Sequence, residues 1–254
     1  MTSDPNSASE TIFNRTLRLV GADTLRTFAG ARVIIFGIGG VGSWTAEALA
    51  RSGIGHLTLV DADCVAMSNI NRQLHALHST VGRPKVDVAR ERLLDINPAI
   101  DVVARRERYD AATAPTFALD DYDVVIDAID ALADKALLIN NATRSRATLF
   151  SSMGAALKMD PDRVHTAEFW QVKGCRLAAA LRQRFRRSGI FPARKFRCVY
   201  SDELLPNRAD EAPADTSGAM TFGKVAVNGA MMHITALFGL RLAALTLAAL
   251  ARSK

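Results

Sequence analysis

An apolar run that passes directly into a glycine-rich turn is the feature that most constrains this chain. Residues 32–43 read RVIIFGIGGVGS, which predicts a buried strand, a tight turn and the start of a helix. Gly37 would permit the turn off the strand, and Gly42 would let the helix pack close to it. Gly39 and Gly40 would let the backbone approach a phosphate, which the helix start attracts. The segment predicts nucleotide binding but leaves the nucleotide open, because the dinucleotide fingerprint is also satisfied.

Strand-like runs alternate with helical patterns through the first two thirds of the chain. This alternation predicts a Rossmann-like α/β fold, a doubly wound, mostly parallel sheet with helices on both faces. The predicted strands are 33–36, 57–60, 100–103, 124–126 and 147–151, and the predicted helices are 43–52, 84–97 and 132–145. A C-terminal elaboration follows, with strands at 164–170 (on an edge or in a small second sheet) and 196–200, a basic helix at 174–187, a loop at 206–218 and a long apolar helix at 225–251.

The chain is expected to form a disordered tail (1–10) and one domain (11–254). Within the domain, residues 11–160 would bind the nucleotide, and residues 161–254 would face the substrate and support a dimer. The apolar stretch 225–251 includes Asn228, His233 and Arg241, which favours a buried or dimer-facing helix over a membrane span because a central charge is costly in a bilayer.

Composition narrows the chemistry. The three cysteines, Cys64, Cys175 and Cys198, form no C-x-x-C pair, so neither a disulfide framework nor a four-cysteine zinc site is expected, and a reducing, cytoplasmic compartment is predicted. Cys198 lies in an apolar strand pattern, which favours a structural role over a reactive thiol. The net charge of +6 mildly favours an anionic partner such as RNA.

Acidic residues follow two of the predicted strands. Asp61 ends the second strand, where a carboxylate commonly accepts hydrogen bonds from a ribose; a plain turn residue is the alternative. Asp127 and Asp130 follow the fourth strand, at the edge where parallel sheets bind ligands. Magnesium is usually held by one or two carboxylates with water and phosphate oxygens, so Asp130 is the predicted metal ligand. For Asp127, ligand contact and turn formation are equally open.

Two cations indicate a ligand with more charge than a dinucleotide. Arg72 lies in the segment SNINRQ, and Lys85 lies in the first turn of a predicted helix, where the helix dipole disfavours a positive charge. Cleavage of a triphosphate requires fixed cations around it. Each residue alone would be better explained as a solvated surface charge, but both together with the glycine turn favour magnesium-ATP.

The order and spacing of these elements resemble the ubiquitin-activating-enzyme-like superfamily of adenylating enzymes. The matching elements are Gly-x-Gly-Gly-x-Gly-Ser at 37–43, Asp61, Asn69-x-x-Arg72-Gln73, Gly82-x-Pro84-Lys85 and Asp127-x-x-Asp130. The resemblance implies that ATP and Mg²⁺ convert a carboxylate into an acyl-adenylate. It implies that Asp61 holds the ribose, that Arg72 and Lys85 neutralise phosphates, and that Asn69 orients the phosphate region. It further implies that Gln73 lies in the nucleotide site and Asp130 binds magnesium.

The resemblance also implies a homodimer in which an N-terminal arginine reaches the partner's ATP. Arg15 matches that arginine, and Arg18 is the rival. His75 and His78 lie near the phosphate-binding segment and are expected to be packing or hydrogen-bonding residues.

Further segments, at 71–77, 125–130, 198–203 and 221–227, resemble a tRNA-modifying family within this superfamily. That family cyclises the threonylcarbamoyl group of threonylcarbamoyladenosine in tRNA. The resemblance implies that the threonyl carboxylate is adenylated, that the ureido oxygen of the same group attacks it, and that AMP departs; proximity favours such an intramolecular step. Activation of the C-terminal glycine of a ubiquitin-like sulfur carrier is the alternative. A nicotinamide-dependent oxidoreductase would leave Arg72, Lys85 and Asp130 unexplained.

A basic strip between residues 176 and 197 suits contact with RNA. Its predicted tRNA-binding residues are Arg182, Arg184, Arg186, Arg187, Arg194, Lys195 and Arg197, with Phe185, Phe191 and Phe196 between them. The alternative is a solvated helix face with core aromatics. No DNA partner is expected, and the family resemblance associates the chain with a cysteine desulfurase system.

Overall fold

A computed structural model describes residues 12–208 and 228–252 of the chain. In this part of the chain one sheet contains β1 (Arg32–Phe36), β2 (His56–Val60), β3 (Asp101–Arg105), β4 (Val124–Asp127), β5 (Thr148–Ser152), β6 (Val164–Glu168) and β7 (Arg197–Ser201). The strand order is β3-β2-β1-β4-β5-β7-β6. Every neighbouring pair is parallel except β6 with β7. The predicted Rossmann-like, mostly parallel sheet is confirmed.

Helices cover both faces of this sheet. They are α1 (Asn14–Gly30), α2 (Gly42–Arg51), α3 (Lys85–Ile96), α4 (Leu132–Ala142), α5 (Arg176–Ser188) and α6 (Met232–Arg252). Because strand side chains alternate between faces, Val33 and Ile35 pack with α2, α3 and α6, whereas Ile34 and Phe36 pack with α4 and α5. The two apolar layers account for the two-sided burial of the central strands.

Several boundaries differ from the sequence predictions. Helix α1, which kinks at Gly21 where φ is 80°, was not predicted. The strand predicted at 164–170 is β6, at the edge of the main sheet and antiparallel to β7, so the alternative of a small second sheet is wrong. The predicted tail 1–10, most of the loop 206–218, and the segment 221–227 lie outside the described residues.

The long apolar stretch forms helix α6, and its burial distinguishes a core helix from a membrane span. It is the one helix among the described residues that is long and apolar enough to cross a membrane by length and composition. Half of the most apolar stretch of this helix is buried inside the protein. There Ile234, Phe238 and Leu242 belong to the core beneath α2. Helix α6 is therefore a core helix on its inner face, as the sequence predicted.

The strand order also fixes where a ligand can bind. From β1 the sheet continues to β2 and β3 on one side and to β4 and β5 on the other, so the winding reverses between β1 and β4. A crevice opens at the carboxyl ends of the strands at such a point. Gly37, Asp61 and Asp127 all lie at that edge, at or just beyond the ends of β1, β2 and β4.

Candidate active site

Two glycines of the predicted turn are required by close backbone contacts. Gly37 has a φ of +89°, and a Cβ there would lie 2.7 Å from the carbonyl oxygen of Ala128. A Cβ on Gly42 would lie 1.8 Å from the carbonyl oxygen of Gly37. The turn after β1 therefore lies between the loop after β4 and the first turn of α2, as the glycine pattern predicted.

The amino end of α2 faces this crevice. No side chain caps its first turn in the part of the chain that the structure describes, and a Cβ on Gly39 would meet nothing there but the Gln73 amide nitrogen, at 3.9 Å. Amide groups at a helix start attract anions through both hydrogen bonding and the helix dipole. The residues present therefore fit a phosphate group.

The segment containing Arg72 is fastened to the first turn of α2. The Trp44 indole donates a hydrogen bond to the Arg72 carbonyl at 3.2 Å, and the Leu74 amide donates to the Ser43 hydroxyl at 3.2 Å. The half-buried Arg72 side chain donates to the Ser68 carbonyl at 2.8 Å, and its Cγ lies 3.3 Å from the position of a Cβ on Gly40. These contacts place Arg72 beside the glycine turn.

Asn69 and Gln73 lie buried behind Arg72. The Asn69 side-chain oxygen accepts a hydrogen bond from the Ala66 amide at 3.1 Å, so this residue holds the turn that leads to Arg72. The Gln73 side-chain oxygen has no hydrogen-bond partner among the described residues. Leaving a buried acceptor unsatisfied costs about 1–3 kcal/mol, so this amide beside Gly39 is suited to a bound ligand or water.

Lys85 is buried between two carboxylates. Its ammonium lies 2.7 Å from Asp63 Oδ2 and 3.9 Å from Asp61 Oδ1, with 7% of its side chain exposed. Asp61 also accepts hydrogen bonds from the amides of Ile38, at 2.7 Å, and Asp63, at 2.9 Å. Burial raises the pKa of Asp61, and the charge of Lys85 opposes that rise. The solvated-surface alternative is therefore wrong for Lys85.

Asp63 is a residue whose role the sequence did not reveal. Its local pattern favours a turn or a cap, yet in the fold it is the nearer partner of Lys85. The Asp63 carbonyl also accepts from the Lys85 backbone amide at 3.0 Å. Asp63 therefore joins the turn after β2 to the start of α3.

Asp127 forms a fully buried ion pair beneath the crevice. Its Oδ2 lies 2.7 Å from the Lys135 ammonium and accepts from the Ser151 hydroxyl at 2.6 Å, and none of the three side chains is exposed. Its Oδ1 accepts from the Ile129 amide at 3.1 Å. These contacts correspond to the turn-forming alternative for Asp127. No sequence pattern singles out Lys135, because a lysine in a helical pattern is usually exposed.

Asp130 is exposed at the end of the same loop. The described residues include no group of three or more His, Cys, Asp or Glu side chains that could hold a metal ion. Magnesium does not require such a cage, because it commonly keeps several waters and takes one or two carboxylates with phosphate oxygens. The donor set therefore fits magnesium bound together with a phosphate.

Arg15 and Arg18 lie away from the crevice of their own chain. Both are exposed on α1, and Arg15 lines a cavity of about 490 Å³ with Ser52 and Leu247. Ser52 directly follows α2, whose ten residues span about 15 Å from the glycine turn. The structure does not bring Arg15 to the nucleotide site within one chain.

The basic strip divides into two groups. Arg182 donates to the carbonyls of Phe169 and Val172, and Arg194 donates to carbonyls at the end of α4 and before β5, including Thr143 at 3.0 Å and Ala147 at 2.8 Å. Arg194 is nevertheless exposed, as are the other predicted tRNA-binding residues, Arg184, Arg186, Arg187, Lys195 and Arg197. Arg182 and Arg194 therefore stabilise the fold through these hydrogen bonds.

The aromatic residues of the strip divide in the same way. Phe185 and Phe196 are 1% and 5% exposed and belong to the core, so the core-aromatic alternative is correct for them. Phe191 is exposed. Cys198 is buried in the same core, and burial raises the pKa of its thiol, as expected of a structural cysteine.

His75 is buried below the site. Neither ring nitrogen has a hydrogen-bond partner in the described ranges. Burial first, and then the charges of Lys85 and Arg92, lower the pKa of His75 to about 4. The ring is therefore neutral near pH 7, as a packing residue would be.

Comparisons with known proteins show the family of the chain. The sequence model of the ThiF family matches residues 13–252. The tRNA threonylcarbamoyladenosine dehydratase of Bacillus subtilis is 42% identical over 191 residues, which cover 75% of this chain and 74% of that protein. The Escherichia coli protein of the same name is 37% identical over 250 residues, covering 88% and 93%.

A solved structure extends the similarity to three dimensions. The crystal structure of the E. coli tRNA N6-threonylcarbamoyladenosine dehydratase in complex with ATP superposes with a TM-score of 0.82 at 34% identity. The match covers 95% of this chain and 96% of that one. The chain therefore belongs to the ThiF family and is similar over most of its length to that family's tRNA threonylcarbamoyladenosine dehydratases.

Proposed function

We propose that this chain uses ATP to cyclise the threonylcarbamoyl group of threonylcarbamoyladenosine in tRNA. The observation that carries the proposal is that two cations lie close to the glycine turn. Arg72 lies beside Gly40. The buried Lys85 lies beside Asp61, which accepts a hydrogen bond from the Ile38 amide of that turn. That arrangement lies in a fold that matches, over 95% of its length, a dehydratase crystallised with ATP.

The reaction proceeds in two steps. A threonyl carboxylate oxygen attacks the α-phosphorus of ATP, the bond to the β-phosphate breaks, and pyrophosphate leaves. The ureido oxygen then attacks the activated carbonyl carbon, the ureido nitrogen loses its proton, and AMP leaves with the carboxylate oxygen. The substrate thereby loses the elements of water. Because nucleophile and electrophile belong to one group, proximity replaces an enzyme nucleophile.

The residues of the crevice supply charge and orientation. Lys85 and Arg72 would neutralise the negative charge that grows on the departing pyrophosphate, and the amides at the start of α2 would hold a phosphate. Asp61 would accept hydrogen bonds from the ribose, with Asn69 and Gln73 supporting the phosphate segment. Magnesium held by Asp130 would supply further neutralisation of the phosphates.

We further propose that the active form is a cytoplasmic homodimer in which Arg15, or its rival Arg18, reaches the partner's ATP. In this proposal residues 11–160 bind the nucleotide, and residues 161–254 face tRNA and support the dimer. A cysteine desulfurase system would be a further partner.

The proposal is tested with purified protein, Mg²⁺, ATP and tRNA that carries threonylcarbamoyladenosine. We expect pyrophosphate release with this tRNA but not with unmodified tRNA, and mass spectrometry of the nucleosides should show loss of one water. Lys85→Ala and Asp130→Ala should lower the rate at least about 100-fold, because each removes fixed stabilisation of transferring phosphate. The exposed Asp95 on α3 provides a matched control, and Asp95→Asn should retain the rate.

A different set of results would overturn the proposal. Pyrophosphate release stimulated by a ubiquitin-like sulfur carrier, but not by modified tRNA, would instead establish activation of a carrier's C-terminal glycine. Full turnover in both Lys85→Ala and Asp130→Ala would refute the phosphate and magnesium roles.

A further inference from the structure

Two aromatic side chains meet at the surface far along the chain from the motifs of the active site. Trp170 and Phe191 are 40% and 45% exposed, and their ring centroids lie 6.2 Å apart. Behind them, the fully buried Phe169 packs edge-on against Trp170 at 5.1 Å. We call this exposed pair the Trp170–Phe191 platform.

The backbone of the platform is held from both sides. The Trp170 amide donates to the Glu168 carboxylate at 3.0 Å, and Arg182 donates to the Phe169 and Val172 carbonyls that flank Trp170. Gly189, with a φ of 69°, ends α5 and turns the chain toward Phe191. A surface that is already ordered loses little conformational entropy on binding.

Positive charge borders the platform. Helix α5 contains five arginines and no acidic residue, and it ends three residues before Phe191. Exposed cations in this region include Lys173, Arg184, Arg186, Arg187 and Arg197. The neighbouring Glu168 accepts a hydrogen bond from the Trp170 amide through Oε2, and its buried Oε1 has no hydrogen-bond partner among the described residues. Aromatic faces for bases and cations for phosphates are what single-stranded nucleic acid requires.

The sheet places the platform opposite the nucleotide site. Strand β6 runs antiparallel to β7, with Glu168 paired to Arg197 at the start of β7. Because β7 is parallel to β5 and through it to β4 and β1, Trp170 lies at the amino ends of the parallel strands. Gly37 and Asp127 lie at the carboxyl ends, about 17 Å away along the strand direction for strands of five residues. They are also displaced sideways, because three strands separate β1 from β6.

We propose that the Trp170–Phe191 platform stacks an unpaired base of tRNA other than the nucleotide reacting in the same subunit. The exposed α5 residues Arg184, Arg186 and Arg187 bind the adjacent phosphates. The identity of the RNA as tRNA rests on the proposed function. The surface itself rests on exposed aromatics beside exposed cations.

The test measures equilibrium binding of unmodified tRNA without ATP, by fluorescence anisotropy of labelled tRNA. Trp170→Ala and Phe191→Ala should each weaken binding at least about fivefold, because loss of one base–aromatic stack has an effect of this size. Trp170→Phe keeps an aromatic face and should stay near wild type. Val103 on β3 is 46% exposed at the far edge of the sheet, and Val103→Ala should bind tRNA normally. The double variant Arg186→Ala/Arg187→Ala should reduce the salt dependence of binding.

Wild-type tRNA affinity in both alanine variants, with unchanged thermal unfolding and ATP affinity, would overturn the platform. If those variants bind normally while modified tRNA is still cyclised, the platform is wrong and the proposed function stands. If modified tRNA is not cyclised but unmodified tRNA binds in a Trp170-dependent way, the proposed function is wrong and the platform stands.

Discussion

The position of the Lys85 charge is unfavourable for two separate reasons. A cation in the first turn of a helix opposes the helix dipole, and a buried cation loses its hydration. Asp61 and Asp63 offset both costs. The violation of the dipole preference is visible in the sequence and predicts that Lys85 binds an anion. The compensating role of Asp63 is not visible there, because an aspartate in a turn satisfies its local pattern.

At the same scale, His75 should make stability depend on pH. Its pKa lies near 4 in the folded chain, against about 6.5 when unfolded, so the unfolded state binds more protons between these values. Stability should therefore rise from pH 4 to pH 6.5 and be flat above. Relative to His75→Leu, the wild type should lose about 2 kcal/mol of unfolding free energy between pH 7 and pH 5, measured by urea denaturation.

The exposed His78 provides the control for that measurement. The His78→Leu variant should show the same pH dependence of the unfolding free energy as the wild type. If the difference in unfolding free energy between wild type and His75→Leu does not change with pH, the ring is not held neutral by the fold.

At the scale of elements, α6 supports the glycine turn from behind. The hydroxyl of Thr45 on α2 donates to the Gly239 carbonyl at 3.1 Å. A Cβ on Gly239 would lie 2.5 Å from the carbonyl oxygen of Val41, which precedes α2, and 2.8 Å from Cβ of Trp44. The methyl-bearing carbon of Thr235 likewise approaches Gly40. Helix α6 is thus part of the structure that positions the glycine turn.

Gly239→Ala should therefore disturb both stability and nucleotide binding. The added methyl group would push α6 from the first turn of α2, and overpacking of this kind costs about 1–3 kcal/mol. We expect a lower melting temperature and weaker ATP binding by calorimetry. A Cβ on Gly30 at the end of α1 meets no atom within 4 Å among the described residues, so Gly30→Ala should change neither. If the Gly239→Ala variant is less stable but binds ATP with unaltered affinity, α6 has a purely structural role.

The elements that sequence predicted best are those specified locally. Strand β1, the turn at Gly37 and helix α2 follow from adjacent apolar and glycine residues, and they lie where expected. The addition of β6 to the main sheet depends on pairing with β7, which no local pattern encodes. Likewise, Arg194 resembles a solvated cation in sequence, but its acceptors are carbonyls some fifty residues away, so only the fold reveals its role.

At the scale of the whole molecule, Arg15 and the nucleotide crevice lie apart within a single chain. Arg15 lies beside Ser52, at the end of α2 that is remote from the glycine turn. The cavity that Arg15 lines is also lined by Leu19, which is 85% exposed, and by Val20 and Ala251. An apolar face of this kind commonly marks a contact with another protein, and a two-fold dimer would present Arg15 to a second copy.

Mixing two inactive variants tests whether Arg15 completes the partner's site. Arg15→Ala and Lys85→Ala should each be inactive alone, but a heterodimer holds one crevice with its own Lys85 and the partner's Arg15. After unfolding and joint refolding at equal amounts, random pairing should restore about a quarter of wild-type turnover. Arg26, exposed farther along α1, supplies the control, because Arg26→Ala should be active alone. An inactive mixture that still forms dimers by light scattering would exclude Arg15 as the residue that acts across the interface, and Arg18→Ala in the same mixture would then test its rival.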